Sequence, residues 1–224
     1  MTHFSDGVRV GANFDNNGTA TLPGTATSPI FVYSIVPATM ATNNISLAQA
    51  VAGAGNLTIT GTLATSGVAT LDVPRNVRIT SSSASDTAVT ATVYGTDTYG
   101  ISMTETITFG GAATVSGLKA IKTVTRVAIS AVMVGNASVG TGDVFGLPYV
   151  SASRNYVLTA YNGAFVTTGT FVAAVTTSPA TATTGDIRGT YAVPSASDGS
   201  KILTLWIYIA NADTQTGLYG VTQA

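Results

Sequence analysis

The sequence predicts an all-β protein, an antiparallel β-sandwich of the jelly-roll or immunoglobulin-like kind, preceded by an extended N-terminal arm. Three observations carry that expectation. Short runs of Val, Ile, Thr and aromatic residues recur between clusters of Gly, Asn, Asp and Pro along most of the 224 residues, which is the spacing of sandwiches and barrels. Helical periodicity is nearly absent. The chain also holds 39 threonines and 24 glycines, a composition suited to pleated surfaces and tight turns rather than to helices.

Taken in order, residues 10–29 contain DNNGT and LPGTATSP, whose Gly, Asn and Pro content disfavours any regular element. Together with the preceding residues they read as an arm, with Phe4, Val8, Val10 and Phe14 spaced to seat in apolar grooves of another surface. One helix is expected, over residues 45–52 of ISLAQAVAGAG, with Gly53 closing it. Strands are expected at 31–36, 56–62, 68–73, 76–80, 89–94, 101–109, 121–134, 144–150, 156–161, 164–175, 187–193 and 202–210. Two hairpins stand out. GTDTYG links the strands around residues 95–100, and Asn162-Gly163 stands between YVLTAY and AFVTTGTF as a tight primed turn.

Aromatic residues become denser after residues 148–155. That shift divides the chain into an arm and connecting segment (1–56), a β-sandwich core (57–150) and a C-terminal β region (151–224), the last being either a second subdomain or a continuation of the sandwich. Within it, ILTLWIYIA (202–210) is apolar on both faces. It reads as a buried core strand that includes Trp206 and Tyr208.

The surface has little charge to work with. Only 8% of residues are charged and the formal net charge is -1, which offers no steering toward nucleic acid or an anionic membrane and favours association with other proteins. The run at 202–210 is about half of the roughly 20 residues a membrane span needs. The chain lacks cysteine, and its one histidine is His3, so thiol chemistry, a serine-histidine pair and zinc ligation are not expected. No phosphate-binding glycine loop occurs, and no cofactor is implied. Aspartates beside glycine in TGDV, TGDI and SDGS (Asp143, Asp186, Asp198) read as turn residues that bond their own backbone.

The one glutamate, Glu105, raises a sharper question. In ISMTETITF it alternates in phase with Ile101, Met103, Ile107 and Phe109, so it is expected among apolar side chains, where an unpaired charge is costly. Nearby cations are Arg75, Arg78, Lys119, Lys122 and Arg126. Arginine grips a carboxylate with two bonds, so Arg78 or Arg126 is the expected partner in a structural ion pair. A lone buried carboxylate with neither histidine nor a second close acid is a poor catalyst.

The stretches LDVPRNVRIT, TVYGTDTYG, MTETITFGG, GLKAIKTVTRVAIS and SVGTGDVFGLPY, from Leu71 to Tyr149, with the later TGDIRGTYAVPSASDG and GVTQA, resemble virion structural proteins of tailed bacteriophages. Capsid decoration or cement proteins belong to that group. The resemblance implies a β-rich, non-enzymatic protein of the virion, made in the host bacterial cytoplasm. It would bind the major capsid protein on the outer capsid surface and stabilise it, as a homo-oligomer, dimer or trimer. Rival readings are a tail-tube or fibre subunit of the same virion and a sugar-binding β-sandwich module.

Overall fold

In the computed structural model, residues 30–176, 185–209 and 214–221 are described, together with the backbone of two short strands near the N-terminus. Those two, β1 (Asn13–Phe14) and β2 (Ala20–Thr21), pair antiparallel with each other. Next come β3 (Ile30–Ile35), β4 (Ala41–Gln49), β5 (Gly55–Asn56), β6 (Ala64–Thr65) and the long β7 (Val68–Ser81). After these follow β8 (Thr90–Thr96), β9 (Ser102–Thr108), β10 (Val115–Ser116), β11 (Ile121–Ile129) and β12 (Ala137–Gly146). The C-terminal part contributes β13 (Val157–Tyr161), β14 (Ala164–Phe165), β15 (Thr170–Val172), β16 (Thr190–Ala192), β17 (Leu203–Tyr208) and one short helix, α1 (Gln215–Tyr219).

The protein is all-β and sandwich-like, as expected. An 11-stranded sheet has the main order β15-β16-β12-β7-β11-β8-β9, with β4, β5, β6 and β10 attached to it, and it curls into a half-barrel. Every pairing in it is antiparallel. A second sheet of four strands has the order β14-β13-β17-β3. Two apolar cores result. One lies against the large sheet and is built from residues such as Ile45, Leu71, Val77, Val93, Ile121 and Val139. The other lies between the two sheets, where Leu203, Leu205 and Ile207 of β17 meet Val73, Phe145, Leu147 and Tyr191.

Strands β15 and β16 from the C-terminal region extend the large sheet through β12, while β3, from the segment read as arm and connector, edges the small one. Strand β4 replaces the expected helix over 45–52. Its backbone is claimed by β12, and pairing of that kind overrides a short local helical pattern. Pro74, expected to separate two strands, instead lies inside β7. The register slips beside it on both flanks, toward β11 and toward β12, so its missing N–H leaves no ladder bond broken.

Both expected hairpins form. Asn162 and Gly163 take φ of 51° and 80° in a two-residue loop between Tyr161 and Ala164, the left-handed pair that a type I′ turn requires. Between β8 and β9, Asp97 Oδ1 accepts from the N–H groups of Tyr99 and Ile101 at 2.8 and 2.9 Å. The arm anchors Phe4, Val8 and Val10 lie outside the described residues, and Phe14 is placed only as backbone of β1. No described helix is long and apolar enough to cross a membrane.

Candidate functional site

Glu105 lies on β9, and its surroundings differ from the expected ion pair. Its Oε1 accepts from the backbone N–H groups of Leu118 and, at 3.3 Å, of Lys119. Its Oε2 is buried without a hydrogen-bond partner. Arg126 instead stacks over the Tyr94 ring, 3.6 Å from its centroid, and Arg78 Nη1 reaches the Met40 sulfur. The two arginines sit on β11 and β7 with their planar heads committed to other faces, so neither forms the expected pair. Lys119 supplies the nearest positive charge. Loss of hydration pushes the Glu105 carboxyl up to about 7, against the opposing pull of the two backbone N–H groups and Lys119. Burial likewise pushes the Lys119 ammonium down. Gly117 permits this packing, because a Cβ there would run into Glu105 Oε2.

Around Glu105 the polar residues form a connected seam between strands. Asp186, almost wholly buried, accepts from the N–H groups of Ala120 at 3.1 Å and Arg188 at 3.0 Å, and burial raises its pKa. Arg188 in turn pairs with Asp97 at 2.9 Å, with both side chains buried, and its Nε donates to the Leu147 carbonyl. The TGDI aspartate is therefore a buried bridge between chain segments as well as a local turn residue.

A second hub centres on Arg75, a side chain only 1% exposed. Its guanidinium donates to Asp143 Oδ1 and to the Gly142 carbonyl, each at 2.6 Å. It also donates to the Ala38 carbonyl at 2.8 Å and to Asp72 at 3.2 Å. Asp143 accepts from the Ser197 N–H as well, at 3.0 Å. Thus Asp143 is half of a buried ion pair rather than a turn residue, while Asp198 matches the turn reading by accepting from Ser200 and Lys201. Arg75 sits where the strands pass from one core to the other. On β12, Val139 belongs to the first core and Phe145 to the second, with Asp143 between.

Strand β12 was not legible over its first half. ASVGTGD falls between the strands expected at 121–134 and 144–150, yet most of it is buried and central, paired with β7 on one side and β4 on the other. Its glycines are what allow that position. A Cβ at Gly140 would strike the Ala41 carbonyl, and one at Gly142 would strike the Asn76 amide.

Two surface features remain. A cleft of about 330 Å³ lies beside the seam, lined by Asp97, Tyr99, Ile101, Arg188 and Tyr219 among others. Its charged groups are already bonded to each other, and Tyr99 packs edge-on against Tyr219 at 5.0 Å. The other feature is the outer face of the four-stranded sheet. Leu203, Leu205 and Ile207 of β17 point into the core, each fully buried, so Thr204, Trp206 and Tyr208 point outward. β17 is a central strand as expected, but only one of its faces is core, and Trp206 lies half-buried on the other. Opposite Trp206 stand Val32 on β3 and Leu158 on β13. Phe165 packs against Trp206 at 5.7 Å, and Tyr156 against Tyr208 at 5.4 Å. Comparison with protein-family models, with curated proteins and with solved structures finds no match to this chain.

Proposed function

We propose that this chain is a virion structural protein that binds and stabilises the outer surface of a tailed-phage capsid, acting as a decoration or cement protein without enzymatic activity. One observation supports the reading most: the sequence motifs that carry the resemblance supply the polar seam around Glu105 and the hub around Arg75. LDVPRNVRIT contributes Asp72 and Arg75, TVYGTDTYG contributes Asp97, and MTETITFGG contributes Glu105. GLKAIKTVTRVAIS contributes Lys119, SVGTGDVFGLPY contributes Asp143, and TGDIRGTYAVPSASDG contributes Asp186, Arg188 and Ser197. Polar residues engaged in holding strands together specify an architecture and are not left free to form a reaction site, which suits a structural role.

The Thr-rich, nearly neutral surface is consistent with a protein that works by packing against others. The test is co-sedimentation: the full chain is mixed with undecorated capsids and pelleted, and binding at a fixed number of copies per capsid is expected. Failure of the intact chain to pellet would remove the capsid from the proposal. Deleting residues 2–29 tests the arm in the same assay, with weakened pelleting expected. Polymerisation into tubes without capsid would favour the tail-tube alternative instead. A sugar-binding role would draw on the groove of about 290 Å³ lined by Phe165, Trp206, Ile202 and Thr204, and saturable binding on a glycan array would support it.

A further inference from the structure

We infer that the outer face of the four-stranded sheet is a homodimer interface, packed face to face against the same face of a second copy of this chain. The inference takes up the homo-oligomer that the resemblance implies for the proposed function, and it does not require the capsid. Strands β3, β13, β14 and β17 contain no charged residue, and their outward side chains are largely apolar. Val32 is 63% exposed, Leu158 54% and Phe165 71%, with Ile30, Tyr156, Ile202 and Tyr208 also exposed around Trp206.

A large side chain carries on the order of 150–250 Å², so these seven exposed residues present roughly 700 Å² of mostly apolar surface. That is above the ~300–600 Å² of the largest patch on a typical monomer and close to the ~800 Å² that each partner contributes to a standard interface.

The occupant that fits is the chain itself. An uncharged face has no electrostatic preference for a basic or acidic partner, and at a net charge of -1 two copies scarcely repel each other. A two-fold contact needs one patch that complements itself. A two-fold axis running along the strands would set β3 of one copy over β14 of the other. The protruding Val32 of each would then face the Phe165–Trp206 groove of its mate. Two sheets meeting this way form a further sandwich layer, in which the aromatic groups leave water on both copies.

The test uses the full chain and the fact that it contains no cysteine. Sedimentation equilibrium over a wide concentration range is expected to give a dimer. The double variant Val32→Glu with Leu158→Glu is expected to be monomeric with an unchanged circular dichroism spectrum, since both positions are exposed in the single chain. Leu158→Cys treated with a short bismaleimide is expected to cross-link to a dimer. Val134→Cys, at a position 78% exposed outside this sheet, is expected not to. A monomeric intact chain would overturn the inference, and if that monomer still pelleted with capsids the proposed function would survive without it. A dimer that persists in the double variant would overturn it too. So would a chain that dimerises only after residues 2–29 are removed, because the arm would then be the occupant of the face.

Discussion

Replacing Glu105 by glutamine should change how stability depends on pH, with a sign that distinguishes a desolvated carboxyl from an ion pair. Glutamine keeps the shape, and its carbonyl oxygen can accept from the Leu118 and Lys119 N–H groups as Glu105 Oε1 does. In the folded protein the Glu105 carboxyl holds its proton up to about pH 7, against an ordinary value of 4.5. Between those limits the folded state binds more protons than the unfolded state, so this group's contribution is fully present at pH 4.5 and is lost as pH rises to 7. At ~1.4 kcal/mol per pH unit, the wild type should lose up to about 3 kcal/mol relative to Glu105→Gln across that window. Urea unfolding followed by Trp206 fluorescence, run on both proteins at intervals from pH 4.5 to 7.5, measures the difference directly. Subtraction cancels the titrating groups that do not touch this site, while Asp186 and Lys119, whose charges act on Glu105, stay within the difference. A flat difference would sink the reasoning. A wild type that gains on the variant as pH rises would show that the carboxylate is charged and paired at neutral pH.

Other consequences are open to the same kind of measurement. Arg75→Met should cost about 3–5 kcal/mol in chemical denaturation, because Asp72 and Asp143 would lose their buried cation along with the Ala38 and Gly142 carbonyls; a loss under about 1 kcal/mol would show the hub to be dispensable. On β17, Leu205→Ala should cost ~2–5 kcal/mol in an equilibrium melt. Trp206→Ala, on the outer face, should cost less than Leu205→Ala in the same experiment, and the reverse order would misplace the two faces. Asn162→Ala should lose about 1 kcal/mol through its left-handed backbone, while Asn162→Gly should stay near wild type. Gly95→Ala should destabilise by at least ~1–3 kcal/mol, since a Cβ there meets the Thr123 carbonyl across the β8–β11 pairing.

Sequence alone determined what depends on neighbours in the chain. Alternation placed most of the long strands, Asn162-Gly163 and GTDTYG set the two hairpins, and the scarcity of helical period excluded a helical fold. These are properties of a few consecutive residues, for which backbone conformation and side-chain period are enough. Tertiary structure decided whatever depends on segments far apart. The alternation in ILTLWIYIA shows that Trp206 and Leu205 lie on opposite faces, but only the packing of β17 against Phe145 and Tyr191 made the Leu205 face the core. The first half of β12 is a strand because its glycines let β4 and the Asn76 side chain approach closely, and its own Ser, Thr and Gly residues do not announce that. Glu105 was legible as a buried carboxylate, whereas its bonds to the 118–119 backbone were not. A buried charge takes the donors that the crossing strands bring within reach, and which strands cross there is set by the whole sheet rather than by the residues beside it.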